Sequence, residues 1–194
     1  NQALRYRPYW KNGGGITVSG GEPLLQIDFM LEFFKKAKEK GIHTTIDTAG
    51  GPFTREEPFF SKFNELMEYT DLLLVDIKEI NNERHIALTG RSNENILDMA
   101  KYLSEINKPI WIRHVLVPER SDYDEDLIEL DRFISTLSNV YRVEILPYHT
   151  LGVFKWEELK IPYQLEGIKP PTKERVDNAN RLLHVDRYTR YLDN

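Results

Sequence analysis

Five short runs of β-branched and apolar residues recur along the chain: Ile16-Thr17-Val18, Ile42 to Ile46, Leu72 to Val75, Ile110 to Val117 and Val140 to Leu146. Between them the apolar positions fall three and four apart, the period of a helix face. This spacing predicts helices over Leu24 to Lys40, Glu56 to Glu68, Glu94 to Asn107 and Asp124 to Leu137, and a last one from Thr172 to about His184. In the first, Leu24, Leu25, Phe29, Leu31, Phe33 and Phe34 supply the apolar side. Its lysine-rich end, followed by Gly41, fits a C-terminus, where cations meet the partial negative charge of the helix. Ser121 or Asp122 suits the cap of the fourth helix. Strands alternating with helices at roughly 30 residues per repeat predict βα units around a parallel sheet.

Length narrows the architecture. A closed eight-stranded barrel takes ~250 residues; 194 residues predict an open or partial barrel, or a doubly wound sheet, as one domain over 1–194. Residues 1–12 read as an irregular lead-in. The tail, 186–194, matches no motif and is expected to end a helix and then cover the barrel bottom as a short extended segment. The 26 Lys and Arg against 31 Asp and Glu give a net charge of −5, which argues against nucleic-acid or membrane-surface partners, both of which call for a basic footprint. There is no cysteine, so this chain has no disulfide, no thiolate nucleophile and no thiolate of its own for an iron–sulfur cluster. With no long apolar run and no signal-peptide core at its start, a cytoplasmic protein is expected.

Candidate chemistry collects where the strands end, the working rim of parallel α/β folds. The first strand runs into Ser19-Gly20-Gly21-Glu22, the second into Asp47-Thr48, the third into Asp76 with Lys78, and the fifth through Pro147-Tyr148 to His149. Singly, these are a turn, a first-turn acid, a helix cap, a solvated lysine and a loop histidine. Together, carboxylates, an ammonium and an imidazole on one rim favour a small zwitterionic or phosphorylated ligand. The run Gly13-Gly14-Gly15 precedes a strand and is followed by no Gly-Lys-Ser/Thr, so it is read as a flexible approach to the sheet rather than a phosphate loop.

The stretch Gly13 to Pro23, with its Gly-Gly-Glu, resembles the radical S-adenosylmethionine (SAM) superfamily. Downstream, Asp76-Ile77-Lys78, His85 with Gly90, Trp111-Ile112-Arg113, Val117-Pro118 with Ser121-Asp122, and Leu146 to Gly152 are similar to the activating enzymes of glycyl radical enzymes. Lys155-Trp156 and Gly167 to Pro171 are similar to those whose partner is pyruvate formate-lyase. The resemblance implies a partial (β/α)6 barrel of the TIM type. It implies that Gly20, Gly21, Glu22 and Asp47 hold the amino end of SAM, that Lys78 and His149 hold its carboxylate, and that Asp47, Thr48 and Asp76 lie where a monovalent cation binds. It further implies reductive cleavage of SAM at a [4Fe-4S] cluster, a flavodoxin- or ferredoxin-type reductant, and hydrogen abstraction from a backbone glycine of the partner. Arg113 and His114 are weaker candidates for contacting that glycine; their side chains alternate, so at most one faces the barrel interior.

The family's Cys-x-x-x-Cys-x-x-Cys loop has no counterpart here. The expectation is therefore an activase lacking its first strand, cluster loop and first helix, inactive by itself, with the first visible strand left as an open edge. An activase for another glycyl radical enzyme is the near alternative, and a cluster-free module binding SAM or a partner is the next. A hydrolase or lyase using Asp47, Asp76, Lys78 and His149 is disfavoured, because no serine elbow or metal triad accompanies them.

Overall fold

The computed structural model describes residues 2–10 and 14–192. Five parallel strands, β1 (Gly15–Val18), β2 (His43–Thr48), β3 (Leu72–Asp76), β4 (Ile110–Leu116) and β5 (Val140–Pro147), pair in simple sequential order. The connections carry α1 (Ile27–Lys38), α2 (Phe59–Glu68), α3 (Asn82–Thr89), α4 (Glu94–Glu105), α5 (Asp124–Ile134), α6 (Val153–Leu159) and α7 (Lys173–Leu182). This is the predicted α/β class, with an open sheet and no closing strand among the described residues.

Alternation along the strands decides what faces what. In β4, Ile110, Ile112, His114 and Leu116 are buried, while Trp111, Arg113 and Val115 are half-buried. Ile110, Ile112 and Leu116 pack with Ile46, Leu73, Val75 and the apolar faces of α1, α2, α4 and α5 into one core. The second set lines the other face, the inner wall of the partial barrel. Register then aligns that wall in rows: Asp47 beside Leu74, Leu74 beside Trp111 and Trp111 beside Arg142, and above it Asp76 beside Arg113 beside Glu144.

The first predicted helix is in fact a 3₁₀ turn, Pro23–Gln26, running into α1, and its apolar assignment needs correction. Leu24, Ile27, Met30, Leu31 and Phe34 are buried, but Leu25 and Phe29 point outward at 74% and 59% exposure, off the buried stripe. The α5 cap also differs. Tyr123 holds that position without a side-chain bond, because Ser121 Oγ bonds Val117 N and Val115 O, and Asp122 accepts from Glu119 N and Arg175. The lead-in is not irregular throughout: Ala3–Tyr9 winds into 3₁₀ turns. Of the glycine run, Gly13 lies outside the described residues, and Gly15 approaches β2 so closely that a Cβ there would collide with the His43 carbonyl. The tail forms two 3₁₀ turns, Val185–Arg187 and Arg190–Leu192, instead of an extended segment. It does reach the base of the inner wall, where the Tyr191 ring meets Trp111 edge-on at 5.9 Å and the Arg142 guanidinium lies over both rings.

Candidate functional site

At the end of β1 the backbone turns through Gly20 and Gly21, at φ +97° and +52°, a left-handed region costly for other residues. The turn delivers Glu22 to the start of the 3₁₀ turn, where its Oε1 accepts from Leu24 N at 3.1 Å. Glu22 is thus the cap of this turn and not an acid within its first turn, and that is only half the account. The same Oε1 accepts from Thr48 Oγ1 at 2.5 Å, and Oε2 accepts from Ala49 N at 3.0 Å, so the carboxylate is fixed against the end of β2. Oε2 keeps a lone pair for a further donor.

A second cluster spans the next three strands. Arg113 on β4 donates to Asp47 Oδ2 at 3.0 Å, and its Nε lies 3.4 Å from Asp76 Oδ1. Lys78 Nζ donates to Asp76 Oδ2 at 2.6 Å. The Nε to Oδ1 approach lacks hydrogen-bond alignment, and both atoms are buried with no other partner. Asp47 therefore caps no helix; it is one of two acids bridged by Arg113. Alternation explains the arrangement: Arg113 faces the wall, whereas His114 turns into the core between the carbonyls of Ile77 and Ser121, at 2.9 and 2.8 Å. Burial pushes the His114 pKa down.

The structure thus joins Glu22 to Thr48, and Asp47 to Asp76 and Lys78. Thr48 and Asp47 are neighbours on one strand with side chains on opposite faces, so the Thr48 hydroxyl faces Glu22 and not the two aspartates. His149 follows β5, exposed, and has no hydrogen bond among the described residues. Sequence reasoning missed one participant, Arg113, weighed only as a contact to the partner. It also passed over Glu79, completely buried just after Lys78 and outside the cradle's hydrogen bonds; burial, reinforced by the negative charge of Asp126, pushes its pKa up to about 7.

The family model of the radical SAM superfamily matches residues 1–134. The pyruvate formate-lyase-activating enzyme of Streptococcus mutans is 57% identical over 190 residues, spanning 98% of this chain and 72% of that protein. That of Listeria monocytogenes is 54% identical over 189 residues, spanning 97% and 76%. The chain belongs to the radical SAM superfamily, among the pyruvate formate-lyase-activating enzymes. Solved structures carry the same fold: a domain of a pyruvate-formate lyase-activating enzyme from Bacteroides vulgatus superposes with a TM-score of 0.73 at 24% identity, over 91% of this chain and 97% of that one. A radical SAM methyltransferase from Sphaerobacter thermophilus gives 0.68 at 19%, over 96% and 52%.

Two groups implied by this superfamily can be tested against the residues present. An open lone pair on Glu22 and a buried, unpartnered Asp76 Oδ1 fit a cationic group, and Lys78 fits a carboxylate, so the rim suits the amino-acid end of SAM. A [4Fe-4S] cluster does not fit: the sequence has no cysteine, and the described residues hold no group of three or more His, Asp and Glu placed to bind a metal. Among the described residues no helix is long and apolar enough to cross a membrane.

Proposed function

We propose that this chain is the SAM-holding part of an activase for a pyruvate formate-lyase-type glycyl radical enzyme, and that by itself it binds SAM without cleaving it. The observation that carries this reading is the pair of linked clusters on adjacent strand ends, Glu22 with Thr48 and Asp47 with Arg113, Asp76 and Lys78. Gly20 and Gly21 let the backbone pass close to the ligand, and Glu22 and Asp47 accept from its ammonium. Lys78, with one proton already on Asp76, has two left for the carboxylate, and the exposed His149 closes over it from β5. Asp47 and Asp76 form the acidic side on which a monovalent cation binds beside it, the Thr48 hydroxyl being turned toward Glu22. In this superfamily SAM supplies hydrogen-atom abstraction, here from a backbone glycine of the partner. This chain's own contribution is to orient the ligand by its two charges, because its sequence holds no cysteine to ligate a cluster.

Titration calorimetry with SAM tests the reading. Saturable binding that Glu22→Gln and Lys78→Met each weaken is expected, and heats unchanged by either variant would refute it. Anaerobic treatment of the chain with iron and sulfide should leave no stoichiometric [4Fe-4S] signal in optical and spin-resonance spectra; such a signal would overturn the claim that the chain does not cleave SAM by itself.

A further inference from the structure

His114 lies between two carbonyls, and as a neutral ring it has a proton for only one of them. The ring is in the core at 2% exposure. Its Nδ1 is 2.9 Å from the Ile77 carbonyl oxygen, and its Nε2 is 2.8 Å from that of Ser121. Both oxygens only accept, both residues are buried, and neither oxygen has another hydrogen bond among the described residues. A neutral imidazole therefore satisfies one carbonyl and turns a bare nitrogen toward the other, lone pair against lone pair, where burial makes the unmet acceptor costly. Only the imidazolium, donating from both nitrogens, satisfies both.

The two carbonyls belong to different loops of the rim. Ile77 immediately precedes Lys78 after β3, and Ser121 lies in the turn after β4, where its hydroxyl bonds Val115 O and Val117 N. A doubly donating ring thus ties the loop that carries Lys78 to the next one. Charge decides whether the second proton is held: burial and the Lys78 ammonium oppose it, and Asp76 favours it. The other charged groups on these elements are engaged elsewhere: Arg113 with Asp47 on the opposite face, Asp122 with Arg175 and Glu119 N, Asp126 with Arg84, and Glu79 with Asn81 N. While Lys78 meets only Asp76, the two charges balance. A carboxylate arriving at Lys78 makes the set negative, and a proton from water then goes to the bare ring nitrogen. A cation taken up beside Asp76 would act in the opposite sense.

We propose that His114 is a positioning residue for Lys78: it takes its second proton when a carboxylate docks on Lys78, and the imidazolium then clasps the loops after β3 and β4 together. This rests on the reading of the rim as a SAM cradle.

SAM and decarboxylated SAM share the sulfonium and the ammonium and differ in the group at issue, so the pair isolates it. Two-bond proton–nitrogen NMR spectra distinguish a bare ring nitrogen from a protonated one. Recorded on the chain at constant salt from pH ~7.5 down to ~5.5, they should show the His114 ring gaining its second proton at higher pH with SAM than with decarboxylated SAM or no ligand. In calorimetry the ratio of the two affinities should shift toward SAM, as pH falls across that range, about 3- to 10-fold more in the unaltered chain than in His114→Gln, which keeps an N–H and never ionises. His149 titrates alike in both proteins and cancels. If the variant does not fold, the ring titration of the unaltered chain decides. A ring that titrates alike in all three states, or a ratio equally dependent on pH in the variant, would overturn the proposal and leave SAM binding standing. If neither ligand binds, the cradle reading itself falls, and this inference with it.

Discussion

Glu79 makes stability depend on pH in a direction opposite to that of a salt-bridged acid. It follows Lys78 in the loop after β3, fully buried, with Oε1 accepting from Asn81 N at 3.0 Å and Oε2 without a partner. Burial is the main cause of its raised pKa; the Asn81 bond works against the shift and the charge of Asp126 adds to it, bringing the value to about 7 from an ordinary 4.5. Between those values the folded chain holds a proton that the unfolded chain has released. The contribution is therefore complete below the unfolded value and is lost as pH rises through about 7. Integrated over that window, the loss is about 3 kcal/mol. Glu79→Gln never ionises and keeps an oxygen for Asn81 N. Urea unfolding of both proteins, followed by tryptophan fluorescence from pH ~4.5 to ~8, should show the variant gaining on the unaltered chain by up to that amount. Two stability curves that run parallel across the window would refute the reasoning, since the difference between them isolates this one carboxyl.

The ion pairs on the inner wall predict coupling: Arg113→Met and Asp47→Asn should interact by about 1–2 kcal/mol in a double-mutant cycle of urea unfolding, and strict additivity would count against the pair. At Gly21 a Cβ would meet nothing within 4 Å, so the cost of substitution is backbone strain alone; Gly21→Val should lose about 1–2 kcal/mol and Gly21→Asn clearly less, and equal midpoints would show that the left-handed turn is not maintained. Tyr191→Ala should remove the ring from Trp111 and Arg142, shifting tryptophan emission and costing about 0.5–1.5 kcal/mol; an unchanged spectrum would mean that the tail does not seat on the wall.

The strands were legible because β-branched runs at steady intervals leave little choice of element, and the rim was legible because parallel strands bring their C-terminal ends together whatever lies between. What escaped has a common cause. Helix α3 buries only His85 and α6 buries nothing, so neither carries the apolar period by which a helix is read. Leu25 and Phe29 look like core by type and stand outside by angle. Glu79 needs Asp126, 47 positions away on α5, before its environment exists, and no local pattern announces such a meeting. Parity put Arg113 and His114 on opposite faces without saying which faces the interior, and the bond of Arg113 to Asp47 depends on the register of β4 against β3 and of β3 against β2.

That same parity explains how the rim holds its geometry without a closed barrel. Adjacent residues on a strand divide the work between the two faces. Asp47 faces the wall while Thr48, turned the other way, fixes Glu22. Arg113 faces the wall while His114 is gripped by the carbonyls of Ile77 and Ser121. Asp76 faces the wall while Ile77 donates its amide to the Arg113 carbonyl at 3.0 Å and is itself fully buried. Asp47, Arg113 and Asp76 are thus each positioned by a neighbour in sequence, anchored in the core behind it. These three charges are held before any ligand arrives, so their orienting cost is met in folding and not again on binding.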